Sequence, residues 1–442
     1  MIGNPPYFSL SSDSTLKAVS ENYNCYIPTS DIYTLFYELS NSILKNDGLQ
    51  CLITSNKWMR ANYGVLFRKF IIEKTNPLLL IDFGQNLIFE NATVHTNIIL
   101  SQKSNNKNNL SGVRFQDNIF YYHKNTLKNY VDSNVINNLN FDENVWNIIS
   151  KVTSKIKLKI EKKYKRLKDW DNKINFGIKT GLNEAFIIDN ETKQKLIEED
   201  SESLKFIKPI LRGRDTRKYY AEFKNFWLIN VPKGYTIKTK LNTGNVTMEP
   251  PPSYGNVIYD DAWEWFSKKN FAVANHLYNY KSKAIKREDK GDYWWELRAC
   301  AYLKEFEKPK IIFSEIVSEP QFYYDEQGYY PEATVFFISG NHLKYLTALL
   351  NSKAVTFFFK NFYMGGELVG KIRYKKAFLE KVPIPKPTLE YENKIEALVD
   401  QILSLKKENP KADTSQLEAQ IDELVYKLYD LTTEEIQIVQ QS

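Results

Sequence analysis

The chain has 442 residues, room for two or three domains at about 100–200 residues each. A 43% hydrophobic share with 17 Gly and 16 Pro excludes a disordered or collagen-like chain, and 14% aromatics leave room both for cores and for stacking on ligands. The net charge of +7 is modest, no apolar run approaches the roughly 20 residues of a membrane span, and Cys25, Cys51 and Cys300 lie too far apart for a metal or redox motif, so a cytoplasmic protein is expected.

In chain order, residues 1–103 alternate helical and strand-like patterns. Residues 31–44 carry apolar side chains at helical spacing, 49–54 form a short apolar run bounded by Asp47-Gly48 and Ser55-Asn56, and 63–74 read as a second helix. Residues 78–83 and 94–100 read as strands joined by a short loop, which predicts an antiparallel pair at one sheet edge. Such alternation implies an open α/β sheet. Residues 104–112 (SNNKNNLSG) are a polar break, and a basic helix is expected near 146–167. Short aromatic-rich runs over 170–385 suggest a mixed α+β domain. From Glu390 onward the pattern is helical and split at Pro410, which predicts a helical hairpin. The expected domains are 1–103, 104–169, 170–387 and 388–442.

Charge is unevenly spread. Residues 151–240 hold 23 Lys and Arg against 12 Asp and Glu, whereas 400–442 hold 4 against 9. A polyanion partner and a merely solvated Lys-rich face both fit this pattern.

The sharpest local signal is Asn4-Pro5-Pro6-Tyr7. Two prolines hold the backbone extended and remove two N–H donors. A rigid row of carbonyl acceptors is left beside an Asn amide and an aromatic ring. An adenine amino group needs such a site: its two hydrogens can go to the Asn4 side-chain oxygen and the Pro5 carbonyl, while Tyr7 stacks on the ring for roughly 1–3 kcal/mol. A plain Pro-Pro turn with a surface Tyr is the bland alternative.

Ile2 through Tyr7 resembles the catalytic motif of adenine-N6-specific DNA methyltransferases. The following sequence resembles the bifunctional, type IIG-like restriction–modification branch, with its C-terminal target-recognition region. Asp31-Ile32-Tyr33, the stretches 54–64 and 87–94, and Ile81-Asp82-Phe83-Gly84 occur in that branch's order. Further along, 177–183, Leu211-Arg212-Gly213-Arg214-Asp215 and Arg373-Tyr374-Lys375-Lys376 with 382–385 match its recognition half. The resemblance implies the second half of a Rossmann-like methyltransferase sheet, followed by a mixed α+β target-recognition domain and a C-terminal helical hairpin. It implies methyl transfer from S-adenosylmethionine to N6 of an adenine flipped out of double-stranded DNA, with no metal.

By that resemblance Asn4, Pro5, Pro6 and Tyr7 are catalytic, and Phe89 approaches the other face of the base; read alone, Phe89 is an ordinary core residue. Asn56 and Lys57 follow a strand, where DNA contact and loop capping are equally open. Lys57, Lys179, Arg212, Arg214, Arg217, Lys371, Arg373, Lys375 and Lys376 are candidate DNA contacts, interleaved with Tyr219, Tyr220 and Tyr374.

The branch carries its donor-binding strand and Gly-rich turn ahead of the catalytic motif. Here three residues precede Asn4, and Gly-x-Gly does not occur. The expectation is therefore that an N-terminal methyltransferase fragment or upstream polypeptide supplies most of the donor pocket. Scattered Glu-x-Lys triplets lack a Pro-Asp partner, so cleavage is not predicted. A non-catalytic, specificity-subunit-like DNA-binding module and a remnant of a split gene remain the alternatives.

Overall fold

The computed structural model describes all residues except 13–15, 17–19, 90–93, 116–123, 150, 243–256, 365–370 and 441–442. The expected motif positions 90–93 therefore lie outside the described residues. The chain divides into two units, residues 1–163, 358–373 and 432–442 in the first and 164–357 and 374–431 in the second.

The first unit is built on a six-stranded sheet in the order β1-β2-β4-β3-β5-β6. Strand β1 (Ile2–Gly3) runs parallel to β2 (Leu49–Ser55), with Ile2 opposite Cys51 and Gly3 opposite Leu52. Helix α1 (Tyr33–Ile43) falls between them in sequence, and α2 (Val65–Lys74) follows β2. Both match the helical spacing seen in the sequence. Strands β3 (Asn76–Leu87) and β4 (His95–Gln102) pair antiparallel as expected, but not at an edge: β4 lies between β2 and β3, so its alternate residues are covered on both flanks. The segment read as a polar break ends in β5 (Leu110–Arg114), which pairs parallel to β3, and β6 (Ile136–Leu139) closes that side. Among the described residues β1 has one sheet neighbour.

One face of the sheet buries Leu52, Leu80 and Ile99 against Tyr33, Tyr37, Trp58, Phe67 and Trp146. The Trp58 ring centroid lies 4.8 Å from Phe67 and 5.3 Å from Trp146, both edge to face, a favoured geometry for aromatic quadrupoles. Gly64 is required where α2 starts: a Cβ there would lie 2.0 Å from the Trp58 carbonyl oxygen. Arg68 turns back from α2, donating from Nε to the Glu143 carbonyl at 2.8 Å and from Nη1 to the Ala61 carbonyl at 3.0 Å. Helix α3 (Lys151–Lys163) is shorter than the expected basic helix and forms an ion pair, Lys159 with Glu435, to the terminal helix Thr433–Gln440.

The second unit contains two four-stranded sheets. One orders Phe322–Asp325, Lys310–Ser314, Val335–Gly340 and Asn172–Phe176, all antiparallel. The other orders Tyr330–Pro331, Ile207–Leu211, Trp227–Ile229 and Ile187–Ile188. Lys310 and Asp325 form a fully buried ion pair at 2.6 Å on neighbouring strands; Lys310 also donates to the Phe306 carbonyl, which offsets part of its desolvation. The expected hairpin is present as Leu389–Glu408 and Ser415–Leu428, broken across Pro410.

Candidate catalytic loop and nucleic-acid interface

Strands β1, β2, β3 and β5 run the same way, so their carboxyl ends share one edge of the first unit's sheet. Open α/β sheets place ligands at this edge. Asn4-Pro5-Pro6-Tyr7 leaves β1 there, Asn56 and Lys57 leave β2, and Phe89 follows β3.

Pro5 is buried, Asn4 and Pro6 are exposed, and Tyr7 is half-buried. The Tyr7 hydroxyl donates to Asn4 Oδ1 at 2.7 Å and lies 3.0 Å from the Ile53 carbonyl oxygen. Burial pushes this hydroxyl up to about 12, so it remains a donor at neutral pH. The bond fixes the Asn4 amide before any ligand arrives and leaves its oxygen a second lone pair. Behind it, Tyr33 meets the Tyr7 ring edge-on at 5.9 Å, and Tyr63 bridges Tyr33 and Asp31 at 3.0 Å to each.

Asp82, read from the sequence only as part of a resemblance, organises the same edge. It has no exposed surface. Its Oδ1 accepts from Asn56 Nδ2 at 2.9 Å and from the Gly84 N–H at 3.0 Å; its Oδ2 accepts from Arg60 at 2.8 Å, with Arg114 at 3.9 Å. Burial alone would raise its pKa, but Arg60, Arg114, the Asn56 amide and the Gly84 N–H together hold it below the usual carboxylate value. Three strand ends are thus tied together. A lone Asp in the apolar run Leu78-to-Phe83 was the available signal, since a buried carboxylate needs partners. Asn56 is consumed in this network, whereas Lys57 is exposed. Phe89 is partly buried and makes no ring contact with Tyr7 among the described residues. Three inter-strand steps of about 4.8 Å separate β1 from β3.

In the second unit the basic candidates differ in how firmly they are held. Arg212 grips Asp215 with two bonds, 2.7 Å and 3.2 Å, and lies 4.1 Å from the Phe226 ring centre, so it acts as a fixed element of its turn. Arg217 donates to the Arg214 carbonyl at 2.6 Å and pairs with Glu222 at 3.5 Å, leaving the Arg214 side chain exposed. Together Asn183, Arg212, Arg214, Phe226 and Glu332 line a pocket of about 510 Å³. Lys179 pairs with Asp289 at 2.6 Å and Lys376 with Glu380 at 3.6 Å, while Lys375 is half-buried. Lys371 is exposed and Arg373 partly so; both belong to the first unit. Two of the expected interleaved aromatics are core residues instead: Tyr219 and Tyr374 are each 2% exposed, and Tyr374 packs edge-on against Phe322 at 4.9 Å. Tyr220 stays partly exposed, with Lys406 at 5.5 Å from its ring.

Among the described residues β1 is an edge strand of its sheet, paired with β2. Among the described residues no group of three His, Cys, Asp or Glu could hold a metal ion, and no helix is long and apolar enough to cross a membrane.

Comparison with known proteins defines the class of each part. Residues 1–89 match the Eco57I restriction-modification methylase family, and residues 208–384 match the TaqI-like C-terminal specificity domain. Two segments of the chain are thus similar to an Eco57I-type methylase and to a TaqI-like specificity domain, and the relatives include proteins named type II methyltransferases. Type II methyltransferase M.BstVI of Geobacillus stearothermophilus is 21% identical over 464 residues, covering 100% of this chain and 75% of that protein. M.BanIII of Aneurinibacillus aneurinilyticus is 21% identical over 96% of this chain and 75% of its own length. The restriction enzyme and methyltransferase RM.Eco57I of Escherichia coli is 26% identical over 42% of this chain, which spans only 19% of it. In fold the chain is similar to the type IIL restriction-modification enzyme MmeI, solved in complex with DNA: the TM-score is 0.58 at 12% identity, covering all of this chain and 57% of that one.

Proposed function

We propose that the chain is the base-clamping and target-recognition part of a site-specific DNA methyltransferase of a restriction–modification system. It acts on N6 of an adenine flipped from duplex DNA, with S-adenosylmethionine as methyl donor. Asn4 Oδ1 and the Pro5 carbonyl accept the two amino hydrogens, which keeps the nitrogen lone pair directed away from them. Tyr7 stacks on one face of the base and Phe89 closes from the far side of the edge once the base is bound. Asp82 ties together the neighbouring ends of β2, β3 and β5. Lys57, Lys179, Arg214, Lys371, Arg373 and Lys375 contact phosphates or base edges, while Arg212, Arg217 and Lys376 shape the surface around them.

One observation carries this reading: Asn4-Pro5-Pro6-Tyr7 leaves the carboxyl end of β1 with the Asn4 amide already oriented by Tyr7. The donor pocket is completed by an N-terminal methyltransferase fragment. In support, β1 pairs on one side only, Ile2 is 89% exposed, and α1 shows an exposed stripe of Phe36, Leu39 and Ile43.

Transfer of a labelled methyl group from S-adenosylmethionine to duplex DNA, with and without that fragment, tests the reading. Label is expected only with the fragment, and hydrolysis of the product yields N6-methyladenine. Tight DNA binding with no transfer in either arm would favour a specificity module without catalysis, the reading that the 208–384 match supports when taken alone.

A further inference from the structure

Cationic side chains from three separated stretches of the second unit converge on a cleft that the sequence patterns did not single out. The cleft, about 440 Å³, has Lys233, Lys238 and Arg298 among its lining and an apolar floor that includes Ile178, Leu297 and Leu303. Lys179 stands at its rim, because Lys179 and Arg298 share Asp289 at 2.6 Å and 3.0 Å. Lys233 pairs with Asp292 at 3.1 Å. Four cations therefore face two carboxylates. Lys179, Lys233 and Arg298 are each about half exposed, and Lys238 is exposed. Exposed pairs of this kind are weak and exchange readily for a phosphate.

The frame beneath these side chains is rigid. Glu296 is fully buried and accepts the backbone N–H groups of Gly234, Thr236 and Asp292 at 3.1, 3.0 and 3.1 Å. It thereby ties the turn bearing Lys233, the start of the helix bearing Lys238 (Tyr235–Asn242) and the segment leading to Arg298. Gly234 sits at φ 79°, a left-handed conformation that only glycine adopts cheaply. Arg287 is buried as well, and its guanidinium donates to the carbonyls of Thr180, Trp294 and Glu296, which ties the Lys179 turn to the same frame. So many buried bonds spent on one surface turn hold a charged constellation in place rather than leave it to solvent.

We infer that this cleft clamps a backbone phosphate of the DNA strand, with Lys233, Lys238 and Arg298 on the phosphate oxygens and the adjoining sugar against the apolar floor. The inference rests on the DNA-binding part of the proposed function and not on methyl transfer. The contact is independent of base sequence, since no base edge is read there.

The test is a salt titration of binding to a fluorescent duplex, by anisotropy, with the full chain. Lys238→Gln is expected to reduce the magnitude of the slope of log K against log salt by about 0.9, equally on duplexes of unrelated sequence, and Lys233→Gln/Lys238→Gln at least as much. Lys238→Arg should restore the wild-type slope. Lys268→Gln, an exposed helical lysine paired with Glu264, should leave it unchanged. Unchanged unfolding midpoints establish that the variants are folded. A wild-type slope in the double variant overturns the clamp while leaving the proposed function intact. Weakened binding of 5′-dAMP or inorganic phosphate with an unaltered duplex slope also overturns it, and marks a site for free phosphate compounds. Failure of the wild-type chain to bind duplex DNA overturns both the clamp and the proposed function.

Discussion

The two charged regions of this protein are built in opposite ways. At the sheet edge of the first unit, Asp82 is fully buried and each of its oxygens already has a partner, and Tyr7 has oriented Asn4 in advance. On the second unit, Lys179, Lys233 and Arg298 have exposed side chains paired with partly exposed carboxylates. Buried pairing fixes geometry at a large penalty for disruption. Exposed pairing leaves charge available to a mobile polyanion. One arrangement suits a site where reacting atoms must be placed, the other a surface that slides and grips.

Substitutions should therefore separate the regions by kind of effect. The largest belongs to Asp82→Ala, which strands Arg60 in the core: a loss of about 3–5 kcal/mol is expected in denaturant unfolding of the first unit. Its pH dependence has a definite sign. The folded pKa lies below the unfolded value, so the stabilisation is present above about pH 4 and is lost as pH falls through the folded value. Asp82→Asn should flatten that acid limb; an acid limb as steep as in wild type would assign it to other carboxylates. A smaller effect is expected for Tyr7→Phe, which removes the bond to Asn4 without emptying the stacking position. Transfer in the reconstituted enzyme should fall about tenfold, the equivalent of one hydrogen bond of about 1.4 kcal/mol, with DNA affinity unchanged. Full activity would show that the proline backbone alone orients Asn4. The smallest effects are those of Lys179→Ala and Lys371→Ala: under 1 kcal/mol in stability, and a loss of about 0.9 each from the salt slope. A stability loss from Lys179→Ala as large as that of Asp82→Ala would erase the contrast between the regions.

Elements were legible where their own residues decide them. The helical spacing of 31–44 and 63–74, the apolar run at 49–54 and the Pro410 break reappear as α1, α2, β2 and the hairpin, since each reports local burial. Partner choice was not legible. Nothing in residues 94–100 says that they insert between β2 and β3, because alternation records a buried face and not a neighbour. Likewise Arg212 and Lys179 look alike in sequence, yet one is locked by an Asp three residues on and the other meets an Asp 110 positions away. Tyr219 and Tyr374 lie among basic residues in the sequence, yet both are core residues, because a tyrosine's burial is set by tertiary packing and not by its neighbours in the chain. At the candidate catalytic loop, backbone stiffness and donor removal follow from proline itself, so the extended, donor-poor backbone of Asn4 to Tyr7 needs no fold to state it.

The most direct measurement is methyl transfer by Asn4→Ala in the enzyme reconstituted with the proposed donor-binding fragment, with DNA binding measured on the same preparation. Loss of one of the two oriented acceptors should lower transfer by about 10²–10³ while duplex affinity stays near wild type. Transfer at the wild-type rate would contradict the assignment of Asn4-Pro5-Pro6-Tyr7 as the clamp on the target amino group.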